Sequence, residues 1–225
     1  MVKNNAGADE KIRPFIIVGS VCMQQERLEK QFAFALEIDK EKRIGRQTYC
    51  TDGDTLENDA EHAWHAALMA ILFSEYANEP VDVLKVVKML LIHDIVEIDA
   101  GDTYAYDEAG LSTQAEREMK AAERIYHILP ADQAQELMAL WQEFEALETP
   151  EAKYAKAMDN LQPAMLNAAT SGRAWKEHEV KLSKILKRNQ TTAEGAGVLW
   201  QYGLERFVKP HVELGNIQDD VSIEN

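Results

Sequence analysis

Cysteine is nearly absent from this 225-residue chain: Cys22 and Cys50 are the only two, and they form no CxxC or zinc-knuckle spacing. A disulfide scaffold and a cysteine-built zinc module are thereby excluded, and the pattern fits a reducing compartment such as the cytoplasm. Positive charge is scarce as well. The 24 Lys and Arg are outnumbered by 39 Asp and Glu, leaving a formal net charge of -15. A surface that neutralises nucleic-acid phosphates or anionic lipid needs clustered cations, so the expected partners include no nucleic acid and no membrane. A local basic pocket for one small anion remains compatible with that balance. Long hydrophobic runs are missing too. The apolar stretch "PFIIVGSVCM" is too short to span a bilayer and has acidic residues on both sides.

Stretches of period-two alternation are also lacking, whereas apolar residues from Gln24 onward recur mostly at spacings of three and four. The chain is therefore expected to be all-α, a single helical domain over residues 24–214. Residues 1–23 form an N-terminal appendage of undefined conformation, and residues 215–225 a frayed tail. After a break at "TYCTDGD", Asn58 and Glu61 have the spacing of a capping box, which opens the helix "ENDAEHAWHAALMAILFSEYA". The segment "VDVLKVVKMLLIHDIVEI" is apolar around almost its whole circumference, which predicts a helix through the middle of a bundle. Thr113 with Glu116 and Thr149 with Pro150 are helix-start signals, and Pro163 is expected to end or kink the helix that begins near Pro150. Two further helices are expected within "RAWKEHEVKLSKILKR" and "AGVLWQYGLERFVKPHVEL".

What is present and out of place is the polar content of "MLLIHDIVEIDAGD". On a continuous helix His93 and Glu97 share a face, with Asp94 about 100° round from His93. Burying an isolated carboxylate costs several kcal/mol or more unless it gains a cation, a proton or a metal ion. No Lys or Arg lies within a turn on the Asp94 to Asp102 side, which favours a metal. A divalent ion needs about four to six ligands, more than a His-Asp pair supplies. His62 and Asp159, each on another apolar helix, are the candidate partners, and residues of this mixture suit Mn, Fe, Co, Zn or Mg. Taken alone, His62 reads equally as a core or surface histidine and Asp159 as a cap or ion-pair partner.

The segments "EHAWH", "HDIVEIDAGD" and "AKAMDNLQP" resemble the H...HD...D signature of the HD-domain metal-dependent phosphohydrolases, and more closely the branch holding the bacterial 5'-deoxynucleotidases and their eukaryotic HD-domain relatives. The resemblance covers about Leu36 to Arg188. It implies an HD-type helical bundle in which His62, His93, Asp94 and Asp159 ligate one divalent metal ion. It further implies that Glu97 handles the proton of an attacking metal-bound water, and that Asp102 contacts the sugar or orients the substrate. Arg46 matches the phosphate-binding arginine, with Arg43 as the fallback. The implied reaction is hydrolysis of the phosphomonoester of (deoxy)nucleoside 5'-monophosphates. The chain departs from the branch at Gln47, where the deoxynucleotidases carry a tryptophan that shapes the pocket against a 2'-hydroxyl, so selectivity for deoxyribose is not implied.

Other features read as structural. His65 is expected in helix packing or at the surface, Trp64, Trp141, Trp175 and Trp200 as core or interface anchors, and Asp99 as a solvated helix-end acid. The loop "AGDTYAYDEAG" serves either as one wall of a nucleotide pocket or as an ordinary connection. Abundant apolar helices make a homodimer the expected assembly. Two alternatives stay open: an HD-type hydrolase of a nucleoside polyphosphate or cyclic nucleotide, and a non-catalytic nucleotide-binding protein.

Overall fold

The computed structural model describes residues 13–106 and 108–221. Residues 1–12 of the expected appendage and the last four residues of the expected tail lie outside the described residues. Helix α1 spans Arg13–Ile38 and runs across the boundary placed at residue 23. A 3-10 turn, Asp39–Arg43, leads from it into an antiparallel hairpin of β1, Gly45–Tyr49, and β2, Leu56–Asn58. This hairpin occupies the expected break. Its strands are too short to show alternation, yet it proves central to the site.

Asn58 then opens α2, Asp59–Leu72, through the anticipated capping box: its side chain accepts from the Glu61 N–H, and the Glu61 carboxylate accepts from the Asn58 N–H. Helix α3, Val83–Ile92, is capped by Asp82. It is followed by a 3-10 turn, His93–Val96, and the short α4, Glu97–Ala100. Helix α5, Glu108–Tyr126, begins five residues before Thr113. Helices α6, Ala131–Ala146, and α7, Pro150–Ala169, follow, the latter capped by Thr149. Pro163 neither ends α7 nor interrupts it, since the helix continues to Ala169. The Pro163 carbonyl also accepts from the Asn167 side-chain amide.

The first of the two C-terminal helices expected from sequence is divided into α8, Arg173–Glu177, and α9, Leu182–Arg188, with Glu179 between them at φ 48°. The second comprises α10, Gln190–Gly203, a π-helical turn over Leu204–Val208, and α11, Lys209–Glu213. Residues 216–221 stay attached: Ile217 is buried and the Gln218 N–H donates to the Val180 carbonyl. Its fraying was expected because the segment is polar, but one buried isoleucine and backbone pairing hold it.

The fold is an all-α bundle with one small hairpin, and its middle is α7 rather than α3. Tyr154, Ala155, Met158 and Leu161 of α7 pack with Ala66, Ala70, Met89, Leu90 and Leu199. Helix α3 buries Val86, Met89, Leu90 and Ile92 but leaves Leu84 and Leu91 exposed, so its all-round apolar character does not mean all-round burial. A second cluster joins α1, α5 and α6 through Phe34, Ile125, Tyr126 and Trp141. Fully burying a Leu, Met or Phe side chain contributes about 1.5–3 kcal/mol. These clusters hold α2, α3 and α7 rigid beneath one cleft.

Candidate metal centre and substrate cleft

His62 lies in the second turn of α2, fully buried, and Asp159 lies in the middle of α7. His93 and Asp94 do not continue the α3 helix as the sequence suggests; they begin the 3-10 turn that ends it. That change of winding sets Asp94 beside its own neighbour. Its Oδ1 is 3.2 Å from His93 Nε2. Ligand atoms of His62, His93 and Asp94 lie within 4.8 Å of one another. Asp159 joins from the third helix, its Oδ1 3.0 Å from His62 Nε2 and 3.6 Å from His93 Nε2. The four residues singled out as ligands are thus brought together.

The cation missing from the local sequence comes from the hairpin. Arg46 Nη1 is 3.0 Å from Asp94 Oδ2 and 3.2 Å from Asp59 Oδ1. No Lys or Arg lies near Asp94 in the local sequence, and β1 supplies one from 48 residues away. Arg43, the fallback, is exposed on the preceding 3-10 turn. Burial alone would lower the pKa of Arg46, but Asp94 and Asp59 outweigh it and hold the guanidinium charged.

One arginine does not balance this site. Asp59, Glu97 and Asp102 surround the Asp94 end, and burial raises the pKa of each carboxyl group. Glu97 is raised most, by burial and then by the charges of Asp94, Asp59 and Asp102. Burial opposes a charged His93, yet Asp94 and Asp159 lift its pKa to about 9. The carboxylates thus draw protons into the site when no cation neutralises them. His93 donates its Nδ1–H to the Leu90 carbonyl at 2.9 Å, while its buried Nε2 has no hydrogen-bond partner among the described residues. A bare imidazole nitrogen beside two carboxylates and a second imidazole is a donor set suited to a divalent transition metal.

The cleft above the cluster is lined by Arg46, Gln47, Glu97, Asp102, Tyr104, Tyr106 and Trp175. Gly101, at φ 75°, turns the chain out of α4 immediately before Asp102. The loop "AGDTYAYDEAG" supplies a cleft wall through Tyr104 and Tyr106, whose rings pack edge-on at 5.3 Å. Trp141 and Trp175 are buried, but Trp64 is 61% exposed and is not a core anchor. Asp99 pairs with Arg124, away from the cluster residues.

Sequence reasoning missed Glu57, Asp59, Lys156, Gln162 and Arg188. Asp59 was hidden inside a capping segment. Lys156 was in principle visible, since it lies three residues before Asp159 on the same helix face; its Nζ is 2.7 Å from Asp159 Oδ2. Arg188 lines the cleft from α9, a placement no local pattern signals. His65 is half-buried against the Gln162 amide rather than free at the surface.

Comparison with known proteins agrees with this geometry. The HD-domain family profile matches residues 38–200. A crystal structure described as a "Predicted metal-dependent phosphohydrolase" from Magnetospirillum magnetotacticum MS-1 is 49% identical, with a TM-score of 0.82 over 86% of this chain and 97% of that one. The 5'-deoxynucleotidase HDDC2 of Bos taurus is 30% identical over 107 residues, 47% of this chain and 50% of that protein. The Dictyostelium discoideum protein of the same name is 29% identical over 130 residues, covering 55% and 68% respectively. The chain spans about half the length of the first of these curated relatives. With the profile match extending over most of the sequence and the H...HD...D residues gathered at one cleft, the chain belongs to the HD-domain family.

Proposed function

We propose that this protein is a metal-dependent phosphohydrolase that cleaves the phosphomonoester of nucleoside 5'-monophosphates, deoxy or ribo. The observation that carries the reading is the convergence of His62, His93, Asp94 and Asp159 from separate elements at the floor of a cleft that also contains Arg46. Those four residues would hold one divalent ion. Such an ion, when bound, acts as a Lewis acid on the phosphoryl group and lowers the pKa of water. The names of the HD-domain relatives support the same chemistry.

The remaining steps fall to the chain's own groups. Arg46 offers a planar guanidinium to a phosphate dianion. Glu97 lines the cleft and, once a cation bound beside it offsets the carboxylates that raise its pKa, can take a proton from the attacking water and return it to the leaving oxygen. Asp102, at the cleft, is placed in the proposal against the sugar. Gln47, exposed and lining the cleft, replaces the bulky tryptophan of the deoxynucleotidase branch, so ribonucleotides belong to the substrate range.

The same proposal includes a homodimer in the cytoplasm. Among the described residues no helix is long and apolar enough to cross a membrane. Trp64, Leu68, Ile71 and Leu72 form an exposed apolar stripe on α2, joined by Leu84 and Leu91 of α3, which suits a self-association face. Light scattering on the purified chain tests it.

The deciding experiment is phosphate release from ribo- and deoxynucleoside 5'-monophosphates, 3'-monophosphates, triphosphates and cyclic nucleotides with Mn2+, Co2+ or Mg2+. Turnover of 5'-monophosphates is expected. Turnover confined to polyphosphates or cyclic nucleotides would replace the substrate assignment, and no turnover with any metal would defeat the enzymatic reading.

A further inference from the structure

We infer that Gln162 is a positioning residue that presents His62 to the metal in one tautomer, its own amide being fixed by Glu57 and His65. The inference rests on the metal reading above and concerns a residue to which that reading gives no role. Gln162 and His62 are both fully buried, and Gln162 Oε1 is 2.8 Å from His62 Nδ1. On the other side, Gln162 Nε2 is 2.5 Å from Glu57 Oε1 and 3.1 Å from His65 Nδ1.

A carboxylate can only accept, so the amide must turn its nitrogen towards Glu57. Burial raises the Glu57 pKa to about 7, and Arg46 Nε, 3.7 Å from Glu57 Oε2, together with the Gln162 amide acts against it to favour the ionised form. Reversing the amide would press its oxygen against a carboxylate oxygen and remove both bonds. With the nitrogen so committed, Oε1 accepts the His62 Nδ1–H. Nε2, on the opposite side of the ring, then faces Asp159 and Asp94, 3.0 and 4.0 Å away, at the proposed metal position. Buried partners of a ligating histidine fix its tautomer and ring orientation in this way. Here the fixing chain runs from β2 through α7 to α2, so the hairpin that supplies Arg46 to the cleft from β1 is also tied to a proposed metal ligand.

Two measurements on the full chain test the inference: long-range 15N NMR of His62 in the metal-free protein, and Co2+ affinity by chelator competition. The wild type is expected to carry its His62 proton on Nδ1. Gln162→Met, of similar length but without an amide, is expected to lose that preference and to bind Co2+ about 10- to 100-fold more weakly. Exchanging the pair, Glu57→Gln with Gln162→Glu, again gives His62 an acceptor and position 162 an amide partner. It is expected to recover affinity to within about threefold of wild type, a rescue that a residue filling space alone would not show. A wild-type His62 without a proton on Nδ1, unchanged Co2+ affinity in Gln162→Met, or an exchanged pair as weak as Gln162→Met would each overturn the inference. If Gln162→Met does not fold, the wild-type tautomer and the exchanged pair still decide. Failure of every variant and the wild type to bind Co2+ would instead defeat the metal reading, while the NMR result continues to judge Gln162.

Discussion

Arg46 on strand β1 and Asp94 on the turn after α3 form a buried ion pair, 3.0 Å between Nη1 and Oδ2. The pair places the proposed phosphate-binding cation directly against a proposed metal ligand. Arg46 thus has two functions, and its replacement should show both.

Arg46→Ala is expected to raise KM for the nucleotide and also to destabilise the metal-free protein by about 3–5 kcal/mol, because Asp94 and Asp59 are left buried without their cation. Mn2+ should restore part of that loss by supplying positive charge to the same carboxylates. Denaturant melts with and without Mn2+ check this, and an unchanged melt in the chelated variant would mean the pair contributes nothing to stability.

Removing a ligand should behave differently. Asp94→Ala is expected to lose metal retention and turnover together, with elemental analysis and phosphate release as paired readouts. The variant keeping full turnover would refute the ligand assignment.

Glu41 provides a pH-dependent test. Its carboxyl is 7% exposed, and burial, followed by the charge of Asp94, pushes its pKa up to about 7. A raised carboxyl pKa means that the folded state favours the protonated form. Its stabilising contribution is fully present below pH 4.5 and is lost as pH rises through about 7. At roughly 1.4 kcal/mol per pH unit between those values, the loss is at most about 3.5 kcal/mol. In chelated protein, Glu41→Gln is expected to flatten that part of the stability profile relative to wild type. Parallel profiles for the two proteins would contradict it.

Gly195 tests the packing that holds α7 in place. A Cβ at this position would lie 2.1 Å from the Lys153 carbonyl oxygen and 2.9 Å from the Tyr154 nitrogen, both backbone atoms that cannot rotate away. Gly195→Ala should therefore force α10 off α7 and cost about 1–3 kcal/mol or more. The expected readout is a lowered Tm, accompanied by weaker metal retention because Asp159 lies on the same helix. Gly197→Ala is the control, since its Cβ would meet only the Asn78 side-chain amide at ordinary contact distance.

Much of this was legible in the chain itself. The capping box at Asn58 and Glu61 and the Thr149 cap placed α2 and α7 correctly, because caps are short-range bonds between residues three apart. His62, His93, Asp94 and Asp159 stood out for a thermodynamic reason: polar groups embedded in apolar helices need a partner, and the partner can be sought among groups equally out of place. The sequence by itself therefore determined the starts of α2 and α7, the four candidate donors and the acidic character of the site.

What only the tertiary structure decided is how those groups are oriented and neutralised. The unwinding of α3 into a 3-10 turn at His93, the delivery of Arg46 by a hairpin with strands of five and three residues, and the Glu57–Gln162–His62 chain all join distant segments. Such contacts leave no periodic mark, because they depend on where the backbone passes in space rather than on spacing along it. For the same reason α3, apolar on every side in sequence, lies at the edge of the bundle, and α7, whose face mixes alanine with polar residues, occupies its centre. Small side chains let neighbouring helices approach closely, and the polar groups they enclose are the ones that bind one another.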